Sequence, residues 1–428
     1  MGVSAGGYPA FREAIKTLMK QGRVVLGGGN DVMLARPADT LVGNFRGNPR
    51  GFGFVVPNSP TDHADLFIPP GATLQAMTGD TVAARIVRRG RRGPEVRIEG
   101  EITRIIERGQ NRFVGELVRE GKQWGMRPDG RVLFAPVLLG DVSATRAKAG
   151  DQIVVELTEF PTADHPPRGV IVEVLGRRGD PEIDTLSIIR QYHLPEEFPE
   201  KVLEDARRAV REYDVDTELR QREDLRELMV VTIDPDDARD FDDAISVRRI
   251  GKNRFELGVH IADVAAFVTE DSPLDTEARQ RGNSVYLPRR VIPMLPEVLS
   301  NGLCSLQEDQ PRLAKSVFIE YDRQGRRMGK RYANSFIQSR KRLTYGQATA
   351  ILEGKKKNCS PEVATLVEDM DRLARLIQRR RLDAGMVVLD LPDIELIFDD
   401  KENCVGVQPE DTSFSHTIIE MFMVEANE

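Results

Sequence analysis

At 428 residues the chain is too long for one hydrophobic core, and two to four domains are expected. Its 40% hydrophobic and 30% charged residues are those of a soluble globular protein, and no run approaches the roughly 18 apolar residues of a membrane helix. The net charge of −7 is polarised: residues 1–100 carry 13 Lys/Arg against 8 Asp/Glu, and the remainder carries 48 against 60, as suits capture of a polyanion by a basic front end ahead of an acidic, cation-binding rear.

Residues 1–38 open without a basic-then-apolar signal pattern and read as a helical segment. An amphipathic helix is expected over Tyr8–Lys20, then a turn at Gly27–Gly29 and a strand at Val32–Ala35. Residues 39–100 have short strands broken by Gly, Pro and Asn, the pattern of a small OB-type barrel. RGNPRGFGFVVP puts Phe52 and Phe54 on one strand face after Arg46 and Arg50, and HADLFIPP sets Phe67 opposite Leu66 and Ile68. A lone Phe is most simply core, but GFGFV followed by DLFIP resembles the cold-shock RNA-binding pair. Phe52, Phe54, Phe67, Arg46 and Arg50 are therefore candidate RNA contacts. Arg85, Arg88, Arg89, Arg91, Arg92 and Arg97 read as a solvated basic hairpin that also meets phosphates.

Residues 101–176 repeat the barrel character, with Phe113, Trp124 and Phe134 open to either a stacking or a core role. Residues 177–222 read as a helical linker. Cys304, Cys359 and Cys404 are odd in number, far apart and outside any CxxC, so neither disulfides nor zinc is suggested and a reducing cytoplasm is expected.

The region 223–428 is organised around TIDPDDARDFDDA, Thr232–Ala244, with six aspartates and one basic residue, Arg239. Apolar runs Leu228–Ile233 and Ala244–Val247 flank it and read as strands. Carboxylates held this close repel unless some are protonated or a cation lies among them, and oxygen-only ligands suit Mg²⁺. A solvated acidic turn is the plain alternative. An EF-hand loop is excluded, since Arg239 and Ile245 stand where its Gly and Glu belong.

Together with VHIADV (Val259–Val264), RGNSVYLP (Arg281–Pro288), VIPMLPEVLSNGLCSL (Val291–Leu306), KRLTYGQA (Lys341–Ala348) and HTIIEMFMVEAN (His416–Asn427), this stretch resembles the RNB catalytic domain of the ribonuclease II/ribonuclease R family, on its ribonuclease R side. The resemblance implies a multidomain α+β fold: two N-terminal cold-shock-like OB barrels followed by an α/β RNB domain. It implies processive 3′→5′ hydrolysis of single-stranded RNA to nucleoside 5′-monophosphates by a two-metal mechanism. Asp234, Asp240, Asp242 and Asp243 match the family's metal-site aspartates, with Asp242 and Asp240 as catalytic residues and two Mg²⁺ ions, or Mn²⁺, as cofactor. Asp236 and Asp237 fall outside that set. Tyr286 matches the aromatic that stacks on RNA beside the site, and Glu420 a glutamate near the cleaved nucleotide. The family's opposing aromatic falls at Leu396, after a DLP turn and two residues before Phe398, a departure from the family's two-sided base clamp.

His260 and Asp263 lack a nucleophile partner and read as scaffold, as do Asn301 and Ser305; Lys341, Arg342 and Tyr345 read as packing or phosphate contacts, and Arg379–Arg381 as a solvated face. Single-stranded RNA is the expected partner, with no membrane, no nucleotide cofactor and a monomeric state. The resemblance also implies an RNB domain incomplete at its C-terminal end, so weak hydrolysis and exposed apolar surface are expectations. The rival readings are an RNA-binding pseudoenzyme and a cold-shock-type RNA chaperone working through residues 40–175.

Overall fold

The computed structural model describes residues 8–20, 24–26, 32–34, 40–58, 65–92, 95–140, 142–162, 164–251, 254–355, 359–389, 394–399, 404–409 and 413–428. The turn at Gly27–Gly29, the DLP turn at 390–392 and the side chains of Arg88, Arg89, Arg91, Arg92 and Arg97 lie outside that description. Two compact units divide the chain, Met1–Leu194 and Pro195–Glu428.

In the first unit, helix α1 (Tyr8–Lys20) precedes the hairpin β1 (Val24–Leu26) and β2 (Val32–Leu34). A closed five-stranded barrel follows, built from β3 (Thr40–Gly47), β4 (Gly53–Pro57), β5 (Leu66–Ile68), β6 (Thr81–Arg92) and β7 (Glu95–Glu107) in the order β3-β4-β5-β7-β6. Alternation along each strand sends Phe45, Val55, Leu66, Ile68 and Val82 into its core. Gly53 has a steric reason: a Cβ there would lie 2.3 Å from the Phe45 ring. A second closed barrel takes β8 (Arg112–Glu120), β9 (Gln123–Pro128), β10 (Val137–Leu139), β11 (Asp151–Glu159) and β12 (Arg168–Arg177), around Phe113, Leu117, Met126, Ile153 and Val155. Helix α2 (Pro181–Gln191) is capped by Asp180, begins on Pro181, and is tied to β12 by Arg190, whose Nε donates to Glu173 at 2.8 Å.

In the second unit, α3 (Glu200–Glu212) and α4 (Val215–Leu219) lead into a seven-stranded sheet. Its strands are β13 (Glu223–Asp224), β14 (Val231–Asp234), β15 (Asp243–Ile250), β16 (Arg254–Ala262), β19 (Pro311–Tyr321), β20 (Arg327–Gln338) and β21 (Lys341–Thr344), ordered β13-β20-β19-β16-β15-β14-β21. Between β16 and β19 come α5 (Pro273–Arg281), the hairpin β17 (Val285–Leu287) and β18 (Arg290–Ile292), and a π-helical turn at Val298–Leu303. After β21 follow α6 (Tyr345–Leu352), α7 (Pro361–Asp383), the hairpin β22 (Ile394–Phe398) and β23 (Cys404–Pro409), and α8 (Phe414–Asn427).

Adjacent residues serve opposite faces of this sheet. Val231, Ile245 and Val259 pack under α6, α7 and α8, whereas Val230, Ala244, Ala262 and Phe336 pack with α3 and α5. Local signals agree with these elements. Thr344 and Gln347 form a capping box at α6, and Ser360 caps α7, whose Val363, Val367, Met370, Leu373 and Ile377 form the inward stripe.

One sequence expectation is overturned here. Only Arg379 of the Arg379–Arg381 run lies on a solvated face; Arg380 and Arg381 turn inward to Glu425 of α8, which also accepts from Arg327 at 2.8 Å and from the Tyr321 hydroxyl at 2.7 Å. A fully buried carboxylate needs such partners, and the helix that supplies it lies some 45 residues further along the chain. Among the described residues no helix is long and apolar enough to cross a membrane. The β22–β23 hairpin exposes Ile394, Leu396, Val405 and Val407.

Candidate active site

The acidic stretch forms the turn between two neighbouring antiparallel strands. Asp234 ends β14 and Asp243 begins β15, so both lie at one end of the sheet, and the loop Pro235–Asp242 carries the other aspartates across that end. Parallel pairing of β14 with β21 sets Thr344 beside Asp234 and delivers Tyr345 to the same place. The end of β16 closes the group, with Asp243 paired to Ile261 and the Ala262 amide donating to the Asp242 carbonyl at 2.8 Å.

Burial and mutual repulsion raise the affinity of these carboxyls for protons. Burial first, and the Asp243 charge second, push Asp234 up to about 7. Asp243 rises to about 6 from burial and Asp242, and Asp242 rises from desolvation in the cleft and from Asp240. Tyr345 is pushed up to about 12 by burial, then by Asp243 and Asp234. One oxygen of Asp234, Oδ2, is buried without a hydrogen-bond partner. An unsatisfied buried carboxylate oxygen within an oxygen-only donor set fits a hard divalent cation. Among the described residues, no group of three or more Asp, Glu, His or Cys side chains is placed to hold a metal ion. The fit therefore rests on the orphaned oxygen and the mutual raising of the carboxyls.

Asp240 and Asp242 line a cleft of about 260 Å³ with Ile261, Tyr286, Met294 and Cys304. Tyr286, on β17, is 66% exposed, and its hydroxyl donates to Asp240 Oδ2 at 2.8 Å. Asp236 and Asp237 point to solvent outside this cleft. Arg239, read from sequence beside six aspartates, makes no ion pair with them among the described residues; it lines a separate depression with Phe241, Asn301 and Gln307. Arg342 is the cation that acts on Asp234, lowering its proton affinity, while donating to the Pro235 and Asp236 carbonyls. Sequence gave this role no signal, because it depends on the β14–β21 pairing.

Ser305 is an anchor: its hydroxyl donates to the Arg239 carbonyl at 2.9 Å and accepts from the Phe241 amide at 3.1 Å. His260 is scaffold in the centre of the sheet, fully buried between the hydroxyls of Ser246 and Ser316, and burial pulls it down to about 3. Gly258 makes room for it, since a Cβ there would meet Ser246 Oγ at 2.3 Å. Asp263 is held by Arg222 at 2.7 Å. On α8, Glu420 is exposed, and His416, one turn earlier, lies over the Tyr345 ring with centroids 3.8 Å apart. Leu396 is 40% exposed, and it is Phe398 that approaches the Tyr286 hairpin, with the Arg289 guanidinium 5.1 Å from its ring centre.

In the first unit, Phe52, Phe54 and Phe67 gather on the outside of the first barrel, with ring centroids 5.6 to 6.1 Å apart. Arg46 is the cross-strand partner of Phe54, and both Arg46 and Arg50 are exposed. In the second barrel Phe113 is core, Trp124 is partly buried beneath Arg119, and Phe134 is exposed.

Residues 222–428 match the RNB domain family, residues 126–199 the cold shock domain family and residues 43–105 the ribonuclease B OB domain family. A ribonuclease R of Acidithiobacillus ferrooxidans is 38% identical over 348 residues, 81% of this chain and 77% of that protein. The ribonuclease R of Aquifex aeolicus is 34% identical over 423 residues, 98% of this chain but 58% of its own length. Among solved structures, Mycoplasma genitalium RNase R in complex with ribose methylated single-stranded RNA has a TM-score of 0.78 and 26% identity, covering 91% of this chain and 61% of that one.

Proposed function

The chain belongs to the ribonuclease R family of RNB-domain proteins, and from that membership we propose that it hydrolyses single-stranded RNA from the 3′ end, processively, to nucleoside 5′-monophosphates. The observation that carries this reading is the sheet end where burial first, and neighbouring carboxylates second, push Asp234 and Asp243 far above their ordinary range, with Asp240 and Asp242 beside them in a cleft. Asp234, Asp240, Asp242 and Asp243 would hold Mg²⁺, two ions in the complete site, with Mn²⁺ as a substitute. Bound there, the ions would neutralise charge on the scissile phosphate and supply an activated water at neutral pH.

The chain's own residues orient and bind. Tyr286 seats the 3′-terminal nucleotide with its ring, while its hydroxyl steadies Asp240, one of the two catalytic aspartates with Asp242. Glu420 faces the same nucleotide from α8. Phe52, Phe54 and Phe67 stack on unpaired bases, a sequence-tolerant contact, and Arg46 and Arg50 take backbone phosphates. A monomer in the cytoplasm, with no nucleotide cofactor, completes the reading.

A 5′-labelled single-stranded RNA incubated with the chain in Mg²⁺ should shorten progressively from its 3′ end, and EDTA should stop it. RNA that is retarded but stays intact in Mg²⁺ would sink the hydrolytic reading and leave an RNA-binding protein.

A further inference from the structure

The loop Pro235–Asp242 must present Asp240 and Asp242 to whatever Asp234 and Asp243 bind, and its two halves are held by different means. The far half has several anchors: Ser305 Oγ bonds to the Arg239 carbonyl and the Phe241 amide, the Leu306 amide donates to the Phe241 carbonyl at 2.9 Å, and the Ala262 amide donates to the Asp242 carbonyl. On the near half, among the described residues, Arg342 is the side chain from outside the loop that hydrogen-bonds to it. Its Nη2 donates to the Pro235 carbonyl at 2.7 Å and the Asp236 carbonyl at 2.9 Å, and its guanidinium lies 5.5 Å from the centre of the Phe241 ring, so one side chain spans both halves. Arg342 is itself fixed. It pairs with Thr232 across the parallel β14–β21 ladder, its amide donates to Glu308 at 3.0 Å, and Lys341 beside it donates to the same carboxylate at 2.8 Å.

Resting on the proposed metal site, we propose that Arg342 is a positioning residue for cation binding, a clamp that keeps the Asp-bearing loop over the ends of β14 and β15. Its hydrogen bonds go to the loop backbone rather than to the carboxylates, so beyond its charge effect on Asp234 it fixes the geometry of the loop. A metal site tolerates displacements of only about half an ångström in its ligands, and outer contacts that hold ligands typically contribute 10- to 100-fold in affinity. The chemistry also predicts the sign. At a pH well above the value of about 7 to which Asp234 is pushed, where protons no longer compete for the site, a guanidinium that acted by charge alone would repel a divalent cation and its removal would tighten binding; removal of a clamp weakens it.

The test is a titration of the metal-free chain with Mn²⁺ at a pH above the Asp234 value of about 7, followed by electron paramagnetic resonance, beside single-stranded RNA binding in EDTA. Arg342→Met should raise the Mn²⁺ dissociation constant about tenfold and leave RNA binding in EDTA unchanged. Arg342→Lys, which keeps one charge and a shorter donor, should fall between that variant and the parent, and it carries the test if Arg342→Met does not fold. Tighter Mn²⁺ binding in Arg342→Met overturns the clamp in favour of simple charge, and loss of RNA binding in EDTA overturns it in favour of an RNA contact. Mn²⁺ binding unchanged in Arg342→Met but abolished in Asp234→Asn overturns the positioning role alone. Binding unchanged in both variants overturns the metal site on which it rests.

Discussion

The acidic end of the C-terminal sheet and the aromatic face of the first barrel are the two surfaces proposed to meet RNA, and they are built on opposite principles. The first concentrates like charges where they are partly desolvated, so that Asp234 and Asp243 hold on to protons, and an RNA phosphate would be repelled without a cation between them. The second exposes neutral rings, Phe52, Phe54 and Phe67, beside Arg46 and Arg50, and needs nothing added to attract a single strand. The difference separates chemistry from capture: one region should depend steeply on divalent metal and the other not at all.

The largest effect should come from Asp242→Asn. Metal-assisted charge stabilisation contributes several kcal/mol, so single-turnover hydrolysis in saturating Mg²⁺ should fall by about 10³-fold or more, while RNA affinity in EDTA stays at the parent's value. A parallel loss of affinity would erase the proposed division between the regions.

Next in size is a control on the meaning of an exposed ring. Phe113 of the second barrel is 4% exposed in its core, whereas Phe54 of the first is 38% exposed. Phe113→Ala should cost about 3–5 kcal/mol of stability, read as a lowered denaturation midpoint of the second barrel. Phe54→Ala should leave the midpoint near that of the parent. Equal destabilisation by the two substitutions would make Phe54 a structural residue and remove it from the RNA-facing set.

Much of this contrast was legible in the chain. Period-two alternation set Phe67 opposite Leu66 and Ile68, the resemblance of GFGFV and DLFIP to the cold-shock pair turned the phenylalanines outward, and six aspartates between two apolar runs marked the loop joining β14 and β15. What could not be read has a common physical origin in contacts made across large sequence separations. Alternation alone does not say which face of a strand is the core, so Phe113 stayed undecided between stacking and packing until the barrel closed around it. Arg342 reaches Asp236 across 106 residues because β21 pairs in parallel with β14, an arrangement that leaves no periodic trace. Arg380 and Arg381 looked solvated because their buried partner, Glu425, belongs to another helix. Ser305 was legible as structural, yet the bonds it makes to both sides of Asp240 were not.

A middle-sized effect tests the barrel face directly. Base–aromatic stacking contributes about 1–3 kcal/mol per base by alanine substitution, so Phe54→Ala should weaken single-stranded RNA binding by roughly five- to 150-fold. The loss should be the same in Mg²⁺ and in EDTA, with hydrolysis at saturating RNA preserved. Fluorescence anisotropy in both conditions measures this. A loss seen only with metal present would show that the ring acts through the acidic site.

The smallest effect divides Tyr286 itself, which belongs to both styles of contact through an exposed ring and a hydroxyl bonded to Asp240 at 2.8 Å. Tyr286→Phe removes the hydroxyl and keeps the ring, so hydrolysis should slow by the value of one hydrogen bond, about 0.5–1.5 kcal/mol or roughly two- to twelvefold. The length of the shortest RNA left at the end of digestion should not change. Tyr286→Ala removes the ring as well and should lengthen that final product, because the last nucleotides then lose the surface on which they stack. If the phenylalanine variant lengthens the product as much as the alanine variant does, the hydroxyl rather than the ring seats the RNA, and Asp240 becomes a binding group as well as a proposed metal ligand. If instead neither variant changes it, the final length is set outside the β17–β18 hairpin, and Phe398, in contact with Arg289 of the same hairpin, is the next ring to remove.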